Sequence, residues 1–216
     1  STNAAMIVTV GNVKGGVGKT TLAVNIAIAR ALAGRDVLLV DGDEQGTAVA
    51  FTDLRTEALG TASYTAVVLQ GAALRTQVRQ LATKYDDVVI DVGGRDTGSL
   101  RAALTISDTL LIPVQPRTFD VWAVDQMAAL VREAREINEG LRAVSVLNCA
   151  DAAGHDNGEA EAALADADGI DVLPVRIIRR KAFPNAAASG RSVVEGGTDQ
   201  KAVAELVALV TALYGE

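Results

Sequence analysis

Short unbroken runs of aliphatic and β-branched residues recur along the chain, each followed by a longer stretch with apolar residues at helical spacing. The runs are Ile7–Val10, Val37–Val40, Val88–Ile90, Leu110–Val114, Val144–Leu147 and Val172–Val175. Continuous apolarity, rather than alternation, marks strands covered on both faces. Between them, Thr20–Ala33, Asp120–Ile137, Gly158–Ala167 and Thr198–Leu213 are spaced as helices, and Gly34 stands where the first would end. Strands alternating with helices predict an α/β fold of three layers: a doubly wound, mostly parallel sheet built from right-handed crossovers. Such sheets bind ligands at the carboxyl ends of their strands. With no repeat or linker in the chain, residues 6–216 are expected to form one domain. Residues 1–5, ahead of Met6, read as the remnant of an expression tag.

Composition narrows the chemistry. Of 216 residues, 49% are hydrophobic and 22% charged, which is enough apolar material for a core and excludes intrinsic disorder. Only 3% are aromatic, so that core must be aliphatic. One cysteine (Cys149) and one histidine (His155) argue against a disulfide framework, a Cys-ligated zinc or iron–sulfur site, and a Ser-His-Asp triad. The net charge of −7 speaks against a chain that simply coats nucleic acid or an anionic membrane. No apolar run approaches the ~20 residues that span a bilayer, and no secretory leader opens the chain. An intracellular, cytoplasmic protein working through glycine, lysine and aspartate is the expectation.

The glycine-rich segment after the first strand supplies that chemistry. The strict phosphate-loop pattern G-x-x-x-x-G-K-[ST] asks for glycine at position 13, where the chain has Val13. Its end, Gly18-Lys19-Thr20, is intact and opens a helix. Backbone N–H groups of such a loop point at phosphate oxygens, and the helix N-terminus adds partial positive charge. Lys19 would reach the β- and γ-phosphates, and the Thr20 hydroxyl would hold Mg²⁺. Two carboxylates at i and i+2, Asp41 and Asp43, follow the second strand, and Asp91 ends the run Val88–Ile90. An apolar strand delivering one carboxylate suits Asp91 to a magnesium-bound water. Gly93 and Gly94 come next, where backbone can approach a γ-phosphate.

Lys14-Gly15-Gly16-Val17-Gly18-Lys19-Thr20-Thr21 resembles the deviant Walker A motif of the ParA/MinD ATPases, which carries a second lysine early in the loop. The resemblance runs from Met6 to the last helix and implies a P-loop NTPase fold, ATP and Mg²⁺ as cofactors, and ATP hydrolysis. It makes Lys14 a lysine that reaches across a homodimer to the partner's phosphates, stabilising transition-state charge as an arginine finger does. It makes Lys14, Lys19 and Asp43 the catalytic set, with Asp43 orienting the attacking water. Lys14 through Thr21 bind nucleotide, and Thr20, Asp41 and Asp91 serve the metal. Val40–Gln45 resembles the family's D-x-D-P-Q segment, with Glu44 in place of proline.

The base is less determined. Asn148-Cys149-Ala150-Asp151 has the N-x-x-D spacing of a guanine motif without its lysine, so GTP stays open. The resemblance favours ATP, with Asn148 and Arg176 beside the base. Cys149 is expected as a buried apolar filler and His155 as a surface loop residue.

From Val172 to Val194 the chain has five basic residues and no acid: Arg176, Arg179, Arg180, Lys181 and Arg191. A patch of this kind holds phosphate backbone without sequence readout. Arg179, Arg180, Lys181 and Arg191 are the expected DNA contacts. The last helix lacks the basic amphipathic tail of membrane-bound MinD-like proteins, so no membrane is expected. With the segment Leu111–Pro116, these features resemble the short ParF-like partition ATPases. They imply plasmid or chromosome partition by ATP-dependent dimerisation and nonspecific, nucleoid-associated DNA binding, with hydrolysis stimulated by a centromere-binding partner of ParB/ParG type. Two alternatives stand beside that reading. One is a positioning ATPase for another cargo, such as a chemoreceptor cluster; the other is a metabolic, amidoligase-like relative.

Overall fold

Every apolar run named above becomes a strand, and the seven strands among the described residues lie in one sheet. The computed structural model describes residues 4–216. In chain order the elements are β1 (Met6–Gly11), α1 (Lys19–Leu32), β2 (Val37–Asp41), α2 (Thr47–Leu59), β3 (Thr65–Val68), α3 (Gly71–Leu81), β4 (Asp87–Val92) and α4 (Thr97–Leu104). There follow β5 (Thr109–Val114), α5 (Val121–Arg135), β6 (Arg142–Ala150), α6 (Asp156–Ala165), β7 (Asp171–Ile178), α7 (Ala182–Ala188) and α8 (Gln200–Tyr214). The strand order is β3-β2-β4-β1-β5-β6-β7. Every pairing is parallel, so the sheet is more uniform than the mostly parallel one expected.

The side-chain period of two sorts each strand onto two cores. Ile7, Leu38, Ile90, Leu110 and Ile112 meet Leu74, Leu104, Met127 and Val131 on one face. Val8, Val10, Leu39, Val89 and Leu111 meet Leu22, Ile26, Leu206 and Leu209 on the other. That is the three-layer arrangement. Ala5, grouped with the leading tail, packs into the first of these cores; residues 1–3 of that tail lie outside the described residues.

Five elements carry no strong pattern in the sequence, among them α7, which has seven residues and buries only Phe183, and the structure shows why. β3 is a four-residue edge strand with no buried position. α3 buries only Leu74 and Val78, and α4 is eight residues long. α2 buries Ala48, Thr52 and Arg55, two of them polar, so it shows no apolar stripe.

Arg55 is the unusual member. It is 1% exposed. Its Nε donates to the Ala62 carbonyl (2.7 Å) and its Nη1 to the Gly190 carbonyl (2.9 Å). The guanidinium also forms a two-pronged pair with Glu195, at 2.7 and 3.0 Å. Asn25 of α1 holds the same segment, its Oδ1 accepting from Ser192 Oγ (2.7 Å) and Val193 N (3.1 Å). Two polar anchors therefore fasten residues 190–195 against α1 and α2. Breaking a buried pair by removing one partner leaves the other without compensation. Arg55→Ala is expected to lower the unfolding free energy by about 3 kcal/mol, read as a shifted urea midpoint; a midpoint within error of wild type would contradict this role.

Candidate nucleotide site

The strands deliver their carboxyl ends to one edge of the sheet. Register places Asp41 of β2 opposite Asp91 of β4, and Asp91 opposite Val10 of β1, one residue before the glycine-rich loop begins. The loop closes into α1 through Gly18, whose φ of 86° is left-handed. A Cβ there would also sit 2.2 Å from Asn148 Nδ2. Gly94 lies equally close: a Cβ on it would meet the Val13 carbonyl at 2.7 Å and the Gly15 N at 3.1 Å. Above Gly15 and Gly16 the space is open. A cleft of about 370 Å³ opens here, lined by Gly15, Gly16, Lys19, Asp43, Glu44, Gln45 and Gly93–Asp96.

Asp91 lies at the bottom of this arrangement. Its Oδ2 accepts from the Thr20 hydroxyl at 2.6 Å, while its buried Oδ1 has no hydrogen-bond partner among the described residues. Burial pushes its pKa up to about 7, against the Thr20 hydrogen bond, with further upward push from Asp41 and opposition from Lys19. Burial also lowers the Lys19 ammonium below the usual lysine range, opposed by Asp91 and Asp43. The Lys19 Nζ donates to the Lys14 carbonyl at 3.3 Å, across the loop. An orphaned carboxylate oxygen beside a hydroxyl and a buried lysine is the donor set a hydrated Mg²⁺ and a polyphosphate would complete. The residues fit Mg·ATP.

Asp41 and Asp43 behave differently from each other. Asp41 is fully buried, and its carboxylate accepts from the backbone N–H of Asp43 (3.1 Å) and of Val49 (3.0 Å). It clamps the loop that carries Asp43 and the first turn of α2. Burial raises its pKa, opposed by those N–H bonds. Asp43 projects into the cleft, its carboxylate against Gly93, and its Oδ1 accepts from Gln45 N at 2.9 Å. This Asx turn closes the loop that carries Glu44.

The two lysines part company. Lys19 lines the cleft; the Lys14 ammonium does not. It donates to the Thr118 carbonyl and stands 3.9 Å from Asp120, outside its own phosphate loop. Sequence spacing carries no sign of this, because the partners lie about 100 residues away. Two further side chains brace the loop and were not singled out from the sequence. Asn12 Nδ2 donates to the Pro113 carbonyl (3.0 Å) while its Oδ1 accepts from Lys14 N (3.0 Å). Gln115 Nε2 donates to the Gly16 carbonyl (2.9 Å).

A second cavity of about 220 Å³ adjoins the loop at Gly18 and Thr21. Asn148, Cys149, Ile177, Ile178, Arg179, Arg180, Phe183, Pro184 and Ala187 complete its walls, a mostly apolar enclosure beside the loop. Asn148 is buried and donates to the Val17 carbonyl at 2.9 Å, so it braces the loop and faces the cavity together. Cys149 is half-buried in the cavity wall at a φ of 49°, rather than a buried filler. His155 is exposed in the loop before α6, as expected. Arg176 is not brought here; its guanidinium pairs with Glu161 of α6.

Tertiary pairing also changes the basic segment. Arg180 is bound by Glu205 of α8 at 2.9 Å, with Asp199 at 4.0 Å. The acids come from α6 and α8, which the segment's own sequence does not reveal. Arg179, Lys181 and Arg191 stay exposed.

A parallel sheet with a glycine loop, two buried lysine and carboxylate partners and a hydroxyl at its strand ends defines a P-loop nucleotide-binding protein. The family model for the CobQ/CobB/MinD/ParA nucleotide binding domain matches residues 8–193, and the chain belongs to that family. It is an ATPase of the ParA positioning type, with ATP and Mg²⁺ as its cofactors. It is similar to maintenance of carboxysome distribution protein A of Halothiobacillus neapolitanus: 31% identical over 214 residues, covering 95% of this chain and 94% of that one. Chromosome partitioning protein ParA of Myxococcus xanthus is 28% identical over 62% of this chain and 60% of its own length. Among solved structures, an ATP complex of Cyanothece McdA superposes with a TM-score of 0.80 at 17% identity, covering 98% and 97% of the two chains. No helix among the described residues is long and apolar enough to cross a membrane.

The raised pKa of Asp91 gives a test. Its folded pKa lies above its unfolded value of about 4, so its contribution favours the fold at acid pH and is lost as pH rises towards 7. In nucleotide- and metal-free protein, Asp91→Asn should therefore gain melting temperature over wild type between about pH 5 and 7 and hold that gain above. Added Mg·ATP should reverse the order, since only wild type offers the carboxylate. Parallel melting curves across that pH range would contradict the assignment.

Proposed function

We propose that this chain is an ATP-driven positioning switch: a Mg·ATP-dependent sandwich dimer that rests weakly on DNA and is discharged by a partner protein on its cargo. The observation that carries the reading is the division of labour between lysines. Lys19 is buried among its own carboxylates, whereas Lys14 is held outside its own cleft, where a second subunit can receive it. In the dimer Lys14 supplies positive charge to the partner's transferring phosphoryl group. Asp43, in the cleft and fixed by its Asx turn, orients the attacking water, and Lys19 and the loop N–H groups hold the phosphates. Thr20 and Asp91 would hold the hydrated Mg²⁺, which would offset the negative charge that develops on the departing ADP. The apolar cavity beyond Gly18 takes the base, with Asn148 at its wall and Arg176 excluded.

DNA contact falls to Arg179, Lys181 and Arg191, because Arg180 is occupied by Glu205. A weak patch doubled by dimerisation makes DNA binding depend on nucleotide. For the cargo, likeness to a carboxysome-distribution protein over nearly the whole chain supports a large protein assembly. Partition of a plasmid or chromosome is the second reading, supported by likeness to ParA over about three fifths of the chain.

Trans action predicts subunit complementation. Lys14→Ala alone should lower ATP turnover by about 100-fold or more with nucleotide binding retained, and Asp43→Ala should be similarly inactive. Mixed in equal amounts, they should recover about a quarter of wild-type turnover, since half the randomly paired dimers hold one complete site. No recovery on mixing would contradict a lysine acting in trans. Separately, Lys181→Ala with Arg191→Ala should flatten the salt dependence of ATP-state DNA binding by about 2 in log–log slope for each protomer. An unchanged slope would remove these residues from the DNA contact.

A further inference from the structure

The chain has a single tryptophan, and its core is aliphatic. A large aromatic kept for folding would be buried; Trp122 is 69% exposed, and its neighbour Val121 58%. They form the first turn of α5. The rest of that helix is sorted as an amphipathic helix should be, with Ala123, Val124, Met127 and Ala128 inward and Asp125 and Gln126 outward. Val121 and Trp122 break the pattern on the solvent side, where nothing in the fold requires them. Two adjacent large apolar residues on an otherwise polar face mark a contact surface.

Position says what that surface meets. The segment leading into α5 runs along the lip of the phosphate loop: Gln115 bonds Gly16, Thr118 accepts from Lys14, and Met127 packs its sulfur 3.4 Å from Val13 N. Asp120 links the two features directly. One carboxylate oxygen caps α5, accepting from Trp122 N at 3.0 Å and Ala123 N at 3.3 Å. The other lies 3.9 Å from the Lys14 ammonium. Lys14 and Trp122 are thus held on one corner by one side chain. Any subunit that receives Lys14 must approach this corner, and in doing so it covers the tryptophan.

We infer that the Val121–Trp122 step is the apolar anchor of the nucleotide-dependent interface with a second copy of this chain, seated beside Lys14. The inference rests on the trans reading of Lys14 and adds the surface that gives the dimer its adhesion. The chemistry suits a two-fold contact, which must be complementary to itself. The corner offers each subunit a cation that can leave for the partner's phosphates and, beside it, an apolar step that is buried as the two copies close. An exposed tryptophan that becomes desolvated is a residue type in which binding energy concentrates. Asp120 also keeps Lys14 on this corner until a partner's phosphates, carrying more negative charge than one carboxylate, draw it away.

Because Trp122 is the only tryptophan, its fluorescence reports the corner alone. Wild type with a non-hydrolysable ATP analogue and Mg²⁺ should dimerise in sedimentation and shift its emission to the blue, and the shift should follow protein concentration. Trp122→Ala should bind the analogue as wild type does, yet dimerise about ten-fold or more weakly; Trp122→Phe should recover most of that loss. A wild type that stays monomeric overturns the sandwich reading and the inference with it. A wild-type dimer with unchanged emission, or a Trp122→Ala dimer of equal strength, overturns the anchor alone. A blue shift produced by anionic vesicles and not by the analogue would assign the corner to lipid and overturn the second-copy contact.

Discussion

A carboxylate buried at the end of the central strand, with one oxygen left unbonded, is the constraint around which the nucleotide edge is built. Asp91 carries an energetic penalty, because burial disfavours its charge and, among the described residues, Thr20 alone bonds its carboxylate. The groups around it make sense as responses to that charge. Lys19 arrives from the first turn of α1, each oxygen of Asp41 accepts from a backbone N–H, and the glycine loop leaves open space above. A divalent cation with phosphate completes a site that the protein leaves unbalanced, which couples folding free energy at this edge to ligand.

Geometry beyond the loop is set by packing between distant elements. Asn148, from β6, supports the loop carbonyl of Val17, and Gln115, after β5, supports that of Gly16. These side chains fix the loop from two strands at once, so its N–H groups can face the cleft before ligand arrives. The loop is preorganised from outside, which is what electrostatic stabilisation of a transferring phosphoryl group requires. Arg55 and Asn25 do the equivalent for residues 190–195, tying the C-terminal third of the chain to α2 and α1.

Charge on the surface is redistributed by the same long-range packing. The acid-free stretch from Val172 to Val194 is not a uniformly basic face, because α6 and α8 bring Glu161 and Glu205 against Arg176 and Arg180. What remains outside ion pairs among the described residues is smaller: Arg179, Lys181 and Arg191. A patch of that size suits transient, salt-sensitive contact rather than tight adhesion.

The sequence by itself determined six of the seven strands, the parallel sheet and the phosphate loop. Continuous apolar runs have one stable use in an α/β chain, and Gly18-Lys19-Thr20 after a strand has one common chemistry. The loop is local, its residues adjacent, so spacing alone makes it legible. Elements held by few or polar buried residues, such as β3, α2 and α3, left no such trace. Only the tertiary structure decided where Lys14 goes, which arginines of the basic segment are paired, and that Arg176 faces α6 rather than the cavity beside the loop. Each of those outcomes depends on a partner from another element, between 15 and about 100 residues away, and no local pattern records a contact across that distance. Trp122 shows the same limit: its exposure follows from which face of α5 the sheet covers, and that is settled only when the layers pack.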